Sequence, residues 1–203
     1  MCQRPNPDCL ASNPDNVSFR QTCGDTLLPR AQSTQSSLDD VPLESKTGVD
    51  YKILRELLRQ QQWRKADGET ARLMLQATGR IEEGWLKGDN MDWFPCVDLR
   101  TLDRLWVAAS GGKFGFSVRR EMWLKLGGQV DYETEKALEE AVGWRKNHKW
   151  LTYISLTFDL SAAPNGHLPA CWEILGRAGG VWYWADRGPW GCSFAKRALS
   201  CNL

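Results

Sequence analysis

Apolar and polar positions alternate with a helical period over much of the chain between residues 50 and 142. Tyr51, Leu54 and Leu58, for example, would lie on one face of a helix. Other stretches repeat this spacing and end at residues that commonly stop helices. The pattern predicts helices over 51–58, 65–78, 98–106, 118–126 and 134–142, with Ser117 as the N-cap of the fourth.

The stretch over 144–160 fits two interpretations. Trp150 and Leu156 suit a helix, whereas Thr152 and Ile154 suit a strand. We expect a helix here, and the chain as a whole is therefore predicted to be all-α, a single, mainly helical domain.

Two loops rich in aromatic residues interrupt the predicted helices. The first covers 80–97, and the second follows Leu160 and extends to about residue 180. Long loops inside compact domains are usually functional. We expect these two loops to close over one another and to form an apolar cleft.

Length, charge and aromatic content limit the class of protein. A chain of 203 residues is long enough for one well-buried core, and 26 basic against 25 acidic residues leave a formal net charge of +1. This balance excludes wholesale attraction to nucleic acid or to an anionic membrane. No apolar run reaches the roughly 18 residues that a membrane span requires. All eleven tryptophans follow residue 62, where they form either a core or a flat aromatic binding surface.

The N-terminal segment has a different composition. Residues 1–47 are rich in Pro, Asn, Ser and Asp and show little periodicity, which predicts a disordered leader. One binding domain is expected over 48–203. The segment does not have the layout of a secretory signal, and its five aspartates fit poorly with a transit peptide, which remains the alternative.

The cysteines give no sign of a metal site. Seven cysteines and two histidines show none of the short spacings that zinc sites use. The odd cysteine count argues against a closed disulfide framework and favours a reducing compartment. We therefore expect buried thiols and no protein-bound metal.

Motifs for catalysis are missing from the sequence. The chain has no nucleophile elbow, no zinc-protease helix motif and neither of the glycine-rich motifs that bind phosphates and dinucleotides. His167, in the second loop, is interpreted as fixing that loop, with ligand contact or axial metal ligation as the alternatives. The sequence favours a binding protein over an enzyme, and a thiol enzyme using Cys171 and His167 is the minor alternative.

A large planar aromatic molecule that carries carboxylates is the ligand class that the remaining residues suit. Aromatic rings would stack on it, and guanidinium groups would pair with its carboxylates. Core packing and surface solubility are the alternative roles of these residues. The candidate walls are Trp85, Phe94, Phe116, Phe158, Trp172 and Trp182, and the candidate cations are Arg100, Arg119, Arg120, Arg177 and Arg197.

Several sequence blocks occur in a specific order between about residue 50 and residue 203. They include EGWL (83–86), FPC (94–96), DLRTLD (98–103), GKFGFS (112–117), VGWR (142–145), LTF (156–158) and GHLP (166–169). In this order they resemble the genomes-uncoupled-four family, the porphyrin-binding accessory proteins of magnesium chelatase.

The resemblance implies a helical domain shaped like a cupped hand, with an apolar palm between two mobile loops. It implies protoporphyrin IX or magnesium protoporphyrin IX as the bound ligand, and the large porphyrin-carrying subunit of magnesium chelatase as the partner. It also implies a monomer in chlorophyll biosynthesis with no nucleic-acid partner and at most peripheral membrane association. The expected location is the cytoplasm or thylakoid surface of a cyanobacterium, or a chloroplast.

Residues and resemblance together lead to one leading hypothesis and one alternative. We expect a non-enzymatic tetrapyrrole carrier that regulates magnesium chelatase. The alternative is a protein–protein interaction or signalling module that keeps the fold without the ligand. The expected porphyrin contacts are Trp85, Phe94, Arg100, Phe116, Arg119, Phe158, His167, Leu168, Trp172 and Arg197.

Overall fold

The computed structural model describes residues 37–86, 88–171 and 190–203, and its regular structure is almost entirely helical. The seven α-helices of these residues are α1 (Lys52–Arg59), α2 (Trp63–Ala77), α3 (Gly88–Asp92), α4 (Cys96–Ser110), α5 (Phe116–Lys125), α6 (Tyr132–Ala141) and α7 (Trp190–Ser200). Short 3₁₀ turns cover Leu38–Asp40 and Tyr153–Ser155, and one antiparallel hairpin pairs β1 (Arg145–Lys146) with β2 (Lys149–Trp150). The predicted all-α class is confirmed. None of the helices in these ranges is long and apolar enough to cross a membrane.

The apolar periodicity located five of these helices, namely α1, α2, α4, α5 and α6. In α2, Ala66, Leu73 and Met74 are fully buried, whereas Arg72 and Gln76 on the opposite face are exposed. A helix with one apolar stripe gains stability by burying that stripe against its neighbours. These elements could therefore be found from local spacing alone.

An aromatic cluster forms the centre of the core. The ring centroids of Trp63 and Trp106 are 6.0 Å apart, and Phe114 lies 5.6 Å from Trp63. Trp106 is fully buried, and its Nε1 donates a hydrogen bond to the Thr70 hydroxyl at 3.0 Å. Burial of a tryptophan of this kind contributes about 4–6 kcal/mol from its apolar area. Trp63 and Trp106 therefore belong to the core and not to a binding surface.

The start of α5 differs from the prediction. The helix begins at Phe116 with Gly115 as its N-cap, so the prediction of Ser117 as N-cap is wrong. The backbone N–H of Ser117 instead donates to the Asp103 carboxylate of α4 at 2.8 Å. Gly115 has a φ of +140°, and a Cβ there would lie 2.7 Å from Cγ2 of Val107. The close approach of α4 therefore requires glycine at this position and supplies the cap from outside the helix.

The helix predicted over 144–160 is wrong. This stretch forms the β1–β2 hairpin and then a 3₁₀ turn. The two residues between the strands, Asn147 and His148, have φ angles of 50° and 62°. Successive left-handed residues are typical of tight hairpin turns, and a right-handed helix cannot pass through them. The left-handed turn residues therefore determine a hairpin here, although the apolar spacing fits a helix.

The expectation of unpaired thiols is also wrong for one pair of cysteines. Cys96 and Cys201 form a disulfide although 105 residues separate them. Folding brings the start of α4 beside the end of α7, and sequence spacing carries no signal of that contact. The inference of a reducing compartment rested on unpaired thiols and loses that support.

The packed unit begins within the expected leader. Val41 is buried, and the Ser45 hydroxyl donates a hydrogen bond to the buried carboxylate of Asp98 in α4. Residues 37–47 therefore belong to the helical unit. Residues 1–36 of the expected leader lie outside the described residues, and their disorder stays a prediction.

Candidate functional site

A buried arginine of α5 holds the base of the second aromatic loop. Arg119 is only 1% exposed, and its guanidinium donates to the carbonyl oxygens of Gly166 at 3.1 Å and Pro169 at 2.7 Å. The same group lies 4.5 Å above the ring of Trp144. Burial lowers the pKa of Arg119 to about 10, so the side chain stays charged at neutral pH. The cation therefore binds loop backbone from inside the protein.

A buried carboxylate of α2 holds the next part of the same loop. Asp67 is fully buried and accepts hydrogen bonds from the backbone N–H groups of Ala170 and of Cys171, the latter at 3.1 Å. Burial raises the pKa of Asp67 to about 6, and the N–H groups oppose that rise. Trp172, an expected porphyrin contact, comes directly after Cys171 but lies outside the described residues. Asp67 thus holds the backbone of Cys171, the residue that precedes Trp172 in the sequence.

Sequence reasoning missed Asp67, although its pattern carried a signal. The residue stands between Ala66 and Thr70 on the apolar face of a helix. Charged residues are almost never fully buried unless they have partners. An aspartate on a core face therefore indicates a long-range hydrogen-bond acceptor, but the spacing does not reveal which segment it binds.

His167 fixes the loop through both of its ring nitrogens. Nδ1 donates to the carbonyl oxygen of Val142 at 2.6 Å, and Nε2 accepts the backbone N–H of Thr157 at 3.2 Å. The indole N–H of Trp144 donates to the His167 carbonyl oxygen at 2.9 Å. Burial lowers the pKa of His167, which favours the neutral ring that this bonding pattern requires. Of the roles considered for His167, the geometry matches the one in which it fixes the loop.

Two of the expected apolar contacts, Phe116 and Leu168, also lie inside the protein. Neither is more than 1% exposed. The ring of Phe116 stacks on Phe194 of α7 with centroids 5.5 Å apart, and the backbone N–H of Gly115 donates to the Leu168 carbonyl oxygen at 3.0 Å. These residues pack α5 against α7 and against the second loop.

Two more of the expected cations contact backbone carbonyls. Arg197 of α7 donates through Nε to the carbonyl oxygen of Phe94 at 2.9 Å, and Arg100 of α4 donates to that of Cys201 at 2.9 Å. Phe94 itself is fully buried. The two arginines therefore connect α7 with the end of the first loop and the start of α4.

The accessible aromatic side chains of the first loop are Trp85, an expected contact, and Trp93, which was not among the expected contacts. Trp93, next to the buried Phe94, is 84% exposed. Trp85 is half-buried, and the guanidinium of Arg80 lies 5.1 Å from the centroid of its ring. Arg80 also donates to the Trp85 carbonyl oxygen at 3.0 Å. Sequence reasoning located this loop but did not select Arg80, and it selected the buried Phe94 instead of its exposed neighbour Trp93.

Phe158 lines a pocket at the N-terminal end of α2, away from the first loop. The guanidinium of Arg64, the second residue of α2, is 4.2 Å from the centroid of the Phe158 ring. Trp85 lies beyond the C-terminal end of α2. The 15 residues of this helix span about 22 Å. Phe158 and Trp85 therefore contact arginines at opposite ends of α2. The pocket has a volume of about 560 Å³ and is lined by Gln61, Trp63, Phe158, Asp159, Leu160 and Ser161.

Most of the expected contacts thus form a set of buried and half-buried side chains that holds both loops. Within the described ranges, no group of three or more His, Cys, Asp or Glu side chains could hold a metal ion. The chemistry that the set offers is hydrogen bonding to loop backbone. Its members are Phe94, Arg100, Phe116, Arg119, His167, Leu168 and Arg197.

Sequence comparison relates the chain to one family. The GUN4-like family model matches residues 44–184. The chain is 36% identical over 138 residues to a Ycf53-like protein of Synechocystis, a match that covers 66% of the chain and 57% of that protein. It is 35% identical over 83 residues to the chloroplastic tetrapyrrole-binding protein of Arabidopsis thaliana, covering 40% of the chain and 31% of that protein. The chain thus matches little more than half the length of the first relative and about a third of the second.

Solved structures share the fold. GUN4 from Chlamydomonas reinhardtii superposes with a TM-score of 0.59 at 25% identity, covering 80% of this chain and 96% of that chain. The ligand-free structure of Arabidopsis thaliana GUN4 gives a TM-score of 0.55 at 26% identity, covering 74% and 94%. The shared fold therefore extends over nearly the whole of both solved chains.

Proposed function

Because this chain belongs to the GUN4-like family, we propose that it binds a tetrapyrrole and has no catalytic activity of its own. The observation that carries the proposal is the family match over residues 44–184, which includes both aromatic loops and most of the residues that hold them. The Arabidopsis relative is a tetrapyrrole-binding protein, which supports the same ligand class. Protoporphyrin IX and magnesium protoporphyrin IX are the proposed ligands.

In this proposal, indole rings of the two loops contact the macrocycle. Trp85 and Trp93 belong to the first loop, and Trp172 belongs to the second. The indole of Trp93 is 84% exposed, which supports this role. A ligand that covers such a large exposed apolar side chain removes its surface from water, and this is favourable. Stacking of a planar ring on each indole contributes about 1–3 kcal/mol from apolar burial and ring geometry.

Carboxylate recognition is assigned to Arg80. Its guanidinium already lies over the ring of Trp85, and it pairs with Glu83 at 3.4 Å on the surface. A propionate could replace Glu83 and form a bidentate pair with Arg80 beside the stacked macrocycle. Arg80 therefore combines an aromatic neighbour with an exchangeable anionic partner.

The buried and half-buried members of the expected contact set that hold loop backbone or pack against it take a positioning role. Binding costs less free energy when the loops are already held in place, because less conformational entropy is lost. Phe158, which lines the pocket at the start of α2, is not among the proposed ligand contacts. The positioning residues are Phe94, Arg100, Phe116, Arg119, His167, Leu168 and Arg197.

Residues 1–36 are proposed as a leader outside the binding domain.

The proposed biological role is the regulation of magnesium chelatase in chlorophyll biosynthesis, and membership of the GUN4-like family supports it. The protein would present its tetrapyrrole to the large porphyrin-carrying subunit of the chelatase. Relatives from Synechocystis and from the Arabidopsis chloroplast support a photosynthetic setting, with a cytoplasmic, thylakoid-surface or chloroplast location.

Tryptophan fluorescence tests the binding proposal. Titration of the full chain with protoporphyrin IX or magnesium protoporphyrin IX should quench emission saturably. Trp85→Ala should weaken binding by roughly tenfold, the equivalent of one stacked ring. Trp150→Phe, in the hairpin, is the matched control and should bind as the wild type does.

Two outcomes would overturn different parts of the proposal. Emission that does not respond at micromolar ligand would contradict tetrapyrrole binding and favour an interaction module that retained only the fold. Saturable binding combined with no change in the rate of magnesium insertion by purified chelatase would leave the carrier role and remove the regulatory role.

A further inference from the structure

A disulfide connects the end of the first aromatic loop with the end of the last helix. Cys96 is the first residue of α4, directly after that loop, and Cys201 directly follows the last residue of α7. We propose that the Cys96–Cys201 disulfide is a redox-modification site, which a dithiol reductant opens to promote release of the tetrapyrrole. The inference rests on the proposed function, because it concerns regulation of the same site.

Polar contacts around the disulfide show what it holds together. Arg197 of α7 donates to the Phe94 carbonyl oxygen, and Arg100 of α4 donates to the Cys201 carbonyl oxygen. Lys196 of α7 also forms an ion pair with Asp92 of α3 at 3.6 Å, on the surface. The disulfide is therefore the covalent member of a contact between α7 and the segment that presents Trp93.

The same helix also packs on the element that holds the base of the second loop. Residues 172–189 connect Cys171, which Asp67 holds, to the start of α7. Phe194 of α7 stacks on Phe116, so the helix packs on α5 as well. A change in the position of α7 would thus act on the first loop directly and on the base of the second loop through α5, whose Arg119 binds the backbone of that loop.

Exposure determines which sulfur a reductant reaches first. Cys96 is half-buried, whereas Cys201 is only 1% exposed. A thiolate of the reductant attacks Sγ of Cys96, the S–S bond breaks, and Cys201 leaves as a thiolate that takes up a proton. The second thiol of the reductant then attacks the mixed disulfide and releases Cys96. Two electrons pass from the dithiol to the cysteine pair, two protons end on the cysteines, and the reductant becomes a disulfide.

Opening the disulfide removes the covalent link of α7 to α4 and leaves apolar packing, hydrogen bonds, an ion pair and ring stacking to hold the helix. The ligand must then order loops that the covalent bond had previously restrained, so binding becomes weaker. The coupling expected between two linked sites is about 5-fold or more in affinity. The effect should lie mainly in faster dissociation, because related complexes differ mostly in their dissociation rates.

The experiment compares porphyrin binding by the full chain in two redox states. Deuteroporphyrin IX serves as the probe, and its dissociation constant is measured by tryptophan quenching before and after reduction with dithiothreitol. Alkylation followed by peptide mass mapping records whether Cys96 and Cys201 are linked in each sample. Reduction should weaken binding at least about 5-fold, with both cysteines alkylated only after reduction.

A double variant separates this disulfide from the other cysteines. Cys96→Ser/Cys201→Ser should bind as the reduced wild type does and should not respond to dithiothreitol. The single variant Cys9→Ser is the matched control and should keep the full response. Far-UV circular dichroism checks that the double variant is folded; if it is not, the reduced and oxidised wild type still decide the question.

Each contrary result has its own meaning. Equal affinity of oxidised and reduced wild type, or alkylation of both cysteines without reduction, would overturn the redox inference while leaving tetrapyrrole binding intact. A response to dithiothreitol that persists in the double variant would assign the effect to another cysteine and overturn it as well. No saturable quenching in either redox state would instead remove the proposed function itself.

Discussion

The guanidinium of Arg119 donates a hydrogen bond to the carbonyl oxygen of Pro169, 50 residues further along the chain, at 2.7 Å. The bond is fully buried and is joined by two bonds from the same side chain to Gly166. An arginine near an expected porphyrin site is thus used to hold the backbone of the loop. Buried residues such as Arg119 position the loop, whereas exposed residues such as Trp93 are proposed to contact the ligand. The two roles can therefore be tested with separate variants.

Arg119→Met should destabilise the protein by about 3 kcal/mol, because the carbonyl oxygens of Gly166 and Pro169 would lose their buried, charged hydrogen-bond donor. Urea denaturation followed by circular dichroism measures this change. Arg104→Met, at an exposed position of α4, is the matched control and should change stability by less than about 0.5 kcal/mol. Equal denaturation midpoints for both variants would contradict the anchoring role.

Stability should depend on pH through Asp67. Burial raises its pKa from 3.8 to about 6 in the folded protein, so the folded state holds this proton more tightly than the unfolded chain does. The stabilisation that the protonated group contributes is complete below pH 3.8 and is lost as pH rises through 6. It amounts to about 3 kcal/mol at 1.36 kcal/mol per pKa unit.

Comparison of the wild type with Asp67→Asn isolates this effect, because asparagine does not ionise. The free energy of unfolding of the wild type minus that of the variant should decrease by about 3 kcal/mol between pH 4 and pH 7. Other titrating groups cancel in this difference, including Glu139, whose pKa burial raises to about 8. A difference that stays constant over this range would show that Asp67 is not the group responsible.

Gly115→Ala should be strongly destabilising. Its φ of +140° is unfavourable for alanine, and the new Cβ would lie 2.7 Å from Val107 and 2.8 Å from the Asp103 carboxylate. We expect a loss of at least about 2 kcal/mol in the free energy of unfolding. Gly112→Ala has a similar positive φ (+84°) but open space around the added methyl group, so it should cost only about 1 kcal/mol. Similar losses in both variants would mean that the contact with α4 is unimportant.

Trp93→Ala should mainly weaken porphyrin binding, whereas Phe94→Ala should mainly lower the stability of the protein. Trp93 is 84% exposed and Phe94 is fully buried. Removal of the exposed indole should weaken porphyrin binding by about 1–3 kcal/mol and change stability by less than about 0.5 kcal/mol. Removal of the buried ring should lower the free energy of unfolding by about 3–5 kcal/mol. Fluorescence titration and urea denaturation of both variants test the pair, and wild-type binding by Trp93→Ala would show that the first loop does not contact the ligand there.

The helices that could be predicted are those whose signal is local. Leu54 and Leu58 in α1, and Leu73 and Met74 in α2, follow the period that an amphipathic helix requires. The hairpin was missed because its turn depends on left-handed Asn147 and His148, while the flanking apolar residues fit a helix equally well. Local spacing is therefore reliable where it is long and unopposed.

Long-range partners could not be predicted in the same way. Asp67 and Cys171 are 104 residues apart, and Arg197 and Phe94 are 103 apart. A carboxylate or guanidinium has the same appearance in a sequence whether it binds backbone, ligand or water. Only its position in the fold determines which of these it meets, and that is why the arginines were expected at carboxylates and are found at carbonyls.

The sequence by itself determined the helical class, five of the helices and the family, since these depend on spacing along the chain. The tertiary structure decided which aromatic rings are buried, which cations hold backbone, and that Cys96 meets Cys201. The physical reason is that burial and pairing are properties of segments that are distant in sequence. They arise only when the helices pack, because the packing excludes water and decides which polar groups must pair with each other.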